Sequence, residues 1–174
     1  GLRWEPDRFQ APGDKIASIE FITGSSTVNK PMDLFIDNVR LGPAVAPLKE
    51  PAMLHDCDNL NRIAMTGGKQ YPDHLLEVNT DKRYVSEGKA SVRFGGRKPE
   101  DHDGSAYFQI DIAVGNIDLR KRAITFDAWS SHPEATRGLY VRAYDSKKKI
   151  VASWFSWGAD LSKKRSLELP FGAS

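Results

Sequence analysis

The chain has one cysteine, Cys57, among its 174 residues, so no disulfide can close within it. It also lacks an excess of either charge. Lys and Arg number 25 against 23 Asp and Glu, a formal net charge of +2, too slight to give nucleic acid an electrostatic reason to bind. The basic runs Lys147-Lys148-Lys149 and Lys163-Lys164-Arg165 are short and fall where turns are expected, so they read as solvated turns. No apolar run approaches the roughly 20 residues of a membrane-spanning helix, and no 3.6-residue apolar period is sustained. Nucleophile motifs, phosphate-binding Gly loops and metalloprotease helices are absent. His55, Asp56, Cys57 and Asp58 lack the second Cys or His pair that zinc spacing requires. The chain carries no signal peptide and does not begin with Met, which reads as an excised region or a mature fragment.

What remains is alternation. Charged residues make up 28% and hydrophobic ones 40%, a globular composition at a length that suits one domain. Ile16 to Ile22 places Ala17, Ile19 and Phe21 on one face against Ser18 and Glu20. Tyr107 to Ile112 sets Phe108, Ile110 and Ile112 inward. Ala123 to Ser130 does the same with Ile124, Phe126 and Ala128, and Leu139 to Asp145 with Leu139, Val141 and Ala143. Ile150 to Trp157 and Arg165 to Leu169 are further strands, Ala52 to Leu60 reads as an opening strand, and Tyr84 to Phe94 as a strand carrying Gly88. Many short strands separated by turn signals predict an all-β antiparallel sandwich. Residues 43–51 hold three prolines and no period, a linker signature. The linker separates a first block, 1–42, too small to bury a core alone, from a second block, 52–174.

In the first block, Leu34 to Leu41 breaks its own pattern. Phe35, Val39 and Leu41 share one side of a two-residue period, and Asp37 falls among them, where an isolated carboxylate is costly to bury. A calcium ion, an Arg or several backbone N–H groups would remove that cost. On the second block, the outward positions are Tyr107, Gln109, Asp111, Asp127, Trp129, Tyr140, Arg142 and Tyr144, joined by Glu20 from the first. Flat aromatics mixed with amides, carboxylates and Arg suit the apolar C–H faces and hydroxyl rims of sugars. The competing reading makes the same aromatics cross-strand pairs that stabilise the sheet.

The run Phe35-Ile-Asp-Asn-Val-Arg-Leu41 resembles the closing strand of the β-jelly-roll carbohydrate-binding modules. Val85-Ser-Glu-Gly-Lys-Ala-Ser-Val92 resembles their second strand. In that family the closing strand comes last, and here it comes near the start. Joining Ser174 to Gly1 restores the family order, so the resemblance implies a circularly permuted jelly roll with 43–51 bridging the ancestral termini. The alternative is a fragment cut across two tandem modules, with possible strand exchange between copies. The resemblance further implies a non-catalytic module that binds a polysaccharide or oligosaccharide, at an extracellular or cell-surface location. It also implies a structural calcium ion held by Asp37, by Asp56 and Asp58 of the opening strand, and by Glu87 and the Lys89 carbonyl, since calcium takes six to eight oxygen ligands. No nucleic-acid or membrane partner is expected. A structural spacer without a ligand is the runner-up. A polysaccharide-degrading enzyme, using His102 with Asp101 and Asp103, or Glu20 facing Asp127, stands third.

Overall fold

A computed structural model describes residues 5–8, 15–42, 52–119, 122–158 and 160–170. The first block supplies β1 (Glu5–Arg8), β2 (Ile16–Ser25) and β3 (Pro31–Leu41). The second supplies β4 (Ala52–His55), β5 (Ile63–Gly67), β6 (Leu75–Asn79), β7 (Ser91–Arg97), β8 (Ala106–Ile117), β9 (Ala123–Trp129), β10 (Gly138–Tyr144), β11 (Ile150–Trp157) and β12 (Arg165–Pro170). They form two sheets, ordered β1-β11-β10-β2-β8-β5 and β12-β9-β3-β7-β6, with β4 added beside β3. All the strand ladders are antiparallel. The molecule is an antiparallel β-sandwich in which the chain repeatedly crosses from one sheet to the other.

The alternating strands fold as their periods predict except at Ala17, where a register shift between Ile16 and Ser18 puts Ile16 rather than Ala17 in the core. Ile19, Phe21, Phe108, Ile110, Ile112, Ile124, Phe126, Ala128, Leu139, Val141 and Ala143 all enter the core between the sheets. Phe21 from one sheet meets Phe126 from the other edge to face, with ring centroids 4.9 Å apart, the geometry that ring quadrupoles favour. Trp154 also points inward and is fully buried. The two blocks interleave: β2 lies between β8 and β10, and β3 between β7 and β9. Because β2 packs on β3 and β8 on β7, the outermost strands β1 and β12 share one flank of the sandwich. Linker 43–51 and the Ser174 to Gly1 join lie outside the described residues.

Four further expectations are corrected. The opening strand stops at His55 rather than Leu60. There the Cys57 N–H donates to His55 Nδ1 at 2.9 Å and the ring's Nε2 pairs with the Asn61 carbonyl at 2.6 Å, which folds the chain back. Between Leu60 and Tyr84, where the pattern suggests no strand, the structure has β5 and β6, edge strands too exposed to show strong alternation. Residues 84–90 are not a strand but a short 3-10 turn, Lys82–Tyr84, and a loop, with the strand beginning at Ser91. The turn is capped by Asp81, whose carboxylate accepts from the Arg83 N–H, a side-chain bond that competes with sheet pairing. Finally, Phe35 and Val39 do not share a face. Asn38 has φ +56° and forms a bulge between Asp37 and Arg40, a conformation Asn tolerates. Leu34 and Ile36 therefore point to the core before the bulge, Val39 and Leu41 after it, and Phe35 and Asp37 are left on the outer face.

Candidate functional site

The outer face of the first sheet collects most of the proposed sugar-contacting residues. Pairing sets them in rows: Gln109, Ile22, Tyr140 and Phe155 run across β8, β2, β10 and β11, and Asp111, Glu20, Arg142 and Ser153 form the next row. Tyr107 lies opposite Gly24, and a Cβ on Gly24 would stand 2.5 Å from the Tyr107 ring. The missing side chain therefore lets Tyr107 lean over β2 towards Tyr140, with ring centroids 6.1 Å apart at 78°. Tyr140 is backed by Phe155 in a stacked pair at 6.0 Å. Gly67 makes the same room for Gln109.

Two cavities open along this face. One, of about 280 Å³, is lined by Ile22, Tyr107, Gln109, Tyr140 and Arg142. The other, of about 290 Å³, is lined by Ser18, Glu20, Thr66, Asp111, Tyr144 and Lys148. Glu20 is buried and its carboxylate accepts from the Tyr144 hydroxyl at 2.8 Å and the Thr66 hydroxyl at 3.2 Å. Burial pushes the Tyr144 and Tyr140 hydroxyls above the usual tyrosine range, and for Tyr144 the bond to Glu20 adds to it. Both therefore remain protonated donors at neutral pH. Asp111 keeps a buried Oδ1 with no protein partner, while Lys148 Nζ approaches its Oδ2 at 3.9 Å. The arrangement offers tyrosine rings for C–H faces, with an amide, a guanidinium and two carboxylates for hydroxyls.

Asp127 and Trp129 belong elsewhere. Both are on β9, on the outer face of the second sheet, so Glu20 does not face Asp127 and Trp129 does not join the tyrosines. Trp129 is 5% exposed and lies opposite Phe35, whose ring is stacked on Tyr84 at 4.2 Å and covered by the Arg93 guanidinium at 5.4 Å. It is a packing residue of that layer. Asp127 accepts from the Ser166 hydroxyl at 2.7 Å. His102 Nε2 lies 3.1 Å from the Tyr71 hydroxyl and 3.2 Å from the Ser105 carbonyl, while Asp101 and Asp103 are exposed. Ile22, Thr66, Gly24, Gly67 and Phe155 were not expected at this site. The only sequence signal for the glycines is their position in otherwise alternating strands.

Of the calcium candidates, Asp37 and Asp58 both reach the loop that carries Glu87 and Lys89, through the chain's own N–H donors. Asp37 is fully buried. Its Oδ1 accepts from the Asn38 N–H at 2.8 Å, and its Oδ2 from the Ser86 N–H at 2.8 Å, the Ser86 hydroxyl at 3.0 Å and the Glu87 N–H at 3.3 Å. Burial pushes its carboxyl above the usual range while these donors pull against it. Glu87 is engaged by Arg40 and Asn38. Asp56 accepts from the Asp58 N–H, and Asp58 Oδ1 accepts from the N–H groups of Lys89 at 2.7 Å and Ala90 at 2.8 Å. Among the described residues no three His, Cys, Asp or Glu side chains are grouped to hold a metal. The donors aimed at Asp37 present positive dipole ends where an ion would sit, so this arrangement does not fit calcium.

The Lys89 and Ala90 bonds hold the Asp58 carboxyl below the usual carboxylate range. A depressed carboxyl stabilises above its unfolded pKa and loses that contribution as pH falls through the folded one. Acidification below about pH 4 is therefore expected to lower the protection of the Lys89 and Ala90 amides, relative to their intrinsic exchange rates, ahead of the β7 amides, as read by hydrogen-exchange NMR. Equal protection at pH 3 and pH 6 would show that Asp58 does not pin this loop.

Comparison with protein-family models, curated proteins and solved structures finds no match to this chain.

Proposed function

We propose that this chain is a non-catalytic carbohydrate-binding module, of extracellular or cell-surface location, that binds a polysaccharide or oligosaccharide on the outer face of its first sheet. The observation that carries the reading is the cavity formed by Tyr107, Gln109, Tyr140 and Arg142, continuous in register with Glu20 and Asp111. Sugar sites pair a flat apolar surface with a few convergent polar groups, and Tyr140, held from behind by Phe155, is such a surface. Glu20, already anchored by two hydroxyl donors, acts as a fixed acceptor rather than as an acid. The shared flank of β1 and β12 supports, by the same kind of argument, a circular permutation, because a short connection there would restore the family's strand order.

Affinity electrophoresis against soluble plant, algal and microbial polysaccharides tests the reading. At least one polymer is expected to retard the wild type, and Tyr140→Ala to weaken that retardation about 10-fold, the worth of roughly 1.4 kcal/mol of aromatic contact. The variant's melting temperature should stay close to wild type, because Tyr140 is outside the core. Migration unchanged across the whole panel would leave a ligand-free spacer sandwich as the better description.

A further inference from the structure

Arg142 sits on the boundary between the two cavities and is the one charged residue among those lining the first. Its nearest anion is Glu20, yet Nη1 stands 3.9 Å from Oε1, beyond hydrogen-bond reach, and the side chain is 35% exposed. Glu20 takes its hydrogen bonds from Tyr144 and Thr66 instead. The guanidinium stands on a strand between Tyr140 and Tyr144 and reaches the Tyr144 hydroxyl, and its five N–H donors leave capacity beyond that one contact. A guanidinium fork matches a carboxylate in two parallel bonds. A purely neutral sugar would use that capacity poorly.

The second cavity has the opposite character. Glu20 and Asp111 place two carboxylates there, and Lys148, which pairs with Asp111, is 77% exposed. An anionic group entering beside Glu20 and Asp111 would be repelled, so a ligand anion is favoured in the cavity that Arg142 shares with Tyr107 and Gln109. The Asp111 carboxylate, 19% exposed, is an acceptor for a sugar hydroxyl in the neighbouring position.

We infer that the Arg142 cavity receives the carboxylate of a uronic acid residue, so that the glycan bound on this face is a uronan, with the adjoining sugar presenting hydroxyls to Glu20 and Asp111. This rests on the sheet-face binding reading and deepens it. The acidic ring stacks on Tyr140, its carboxylate meets Arg142, and Gln109 and Tyr107 take its hydroxyls.

The test runs polygalacturonate, alginate and polyglucuronate in affinity gels, each beside its carboxyl-reduced form, with neutral glucans and a sulfated galactan as further lanes. Wild-type protein is expected to be retarded by at least one uronan and about 10- to 100-fold less by the same polymer after reduction, the range for a charged hydrogen-bonded pair. Arg142→Gln should remove the difference between charged and reduced polymer. Arg142→Lys, which keeps the charge and loses the fork, should fall between, with thermal unfolding of each variant showing that it is folded. Equal retardation by the charged and reduced forms, or retardation by neutral or sulfated polymers alone, would overturn the uronan assignment and leave carbohydrate binding standing. Retardation by no polymer would overturn both. The wild-type comparison decides the matter even if neither variant folds.

Discussion

Asp37→Ala is expected to cost about 2 to 4 kcal/mol of unfolding free energy, measured by urea denaturation. The wild-type carboxylate accepts three backbone N–H groups and a hydroxyl. Truncation strands the Asn38 donor in the sheet and frees the 86–87 segment from β3. The loss stops short of a larger figure because Ser86 and Glu87 are not buried, so water can reach their freed donors, and because the cost of burying the charge disappears. Asp37→Asn should lose about half as much, since one amide oxygen replaces two acceptors and the NH2 group then faces N–H donors. Burial has raised this carboxyl, so on its account the fold is favoured most below the ordinary carboxylate pKa. That contribution fades as pH rises through the raised value. Calcium or chelator should leave the melting temperature unchanged, since the donors already do what an ion would do. A calcium-dependent rise in melting temperature, lost in Asp37→Ala, would show that the residue does belong to an ion site.

Gly95→Ala is expected to be at least as damaging, by about 3 kcal/mol or more, which for a chain of this length lowers the melting temperature by roughly 6 to 12 °C. Gly95 pairs with Asp33 of β3 and Leu75 of β6, in the middle of the second sheet. A Cβ there would overlap the Met32 carbonyl oxygen and stand 2.8 Å from the Asp33 Cα. These are backbone atoms that cannot rotate away. Asp33 is itself buried and tied to Arg93 at 3.0 Å, and to Ser130 and Ser131, so any shift of β3 also strains that network. Gly104→Ala serves as the contrast. It has φ +75° but nothing within 4 Å of where a Cβ would stand, so its cost is the left-handed backbone alone, about 1 kcal/mol. Comparable melting temperatures for the two variants would mean that β3 and β7 can separate without penalty.

The candidate site was legible in part. Tyr107, Gln109, Asp111, Tyr140, Arg142, Tyr144 and Glu20 all reached one face because each is the outward member of a cleanly alternating strand whose inward neighbours are large and apolar. Asp127 and Trp129 show the same alternation and yet ended on the opposite side of the molecule. Alternation fixes which residues turn away from the core but not which of two sheets carries the strand. Sheet membership depends on pairings such as Glu20 with Asp111 and Asp37 with Asp127, made between residues distant in sequence.

By itself, then, the sequence determined the all-β class, the inward residues of β2, β8, β9 and β10, and the need for Asp37 to be compensated, because these follow from a local two-residue period and from the cost of burying a charge. Tertiary structure decided the rest. It supplied N–H donors to Asp37 from a loop 49 residues away, placed Gly24 where Tyr107 had to lean, and used one left-handed Asn38 to reverse the facing of β3. These features depend on contacts across the sandwich, and a one-residue bulge reverses every side chain that follows it.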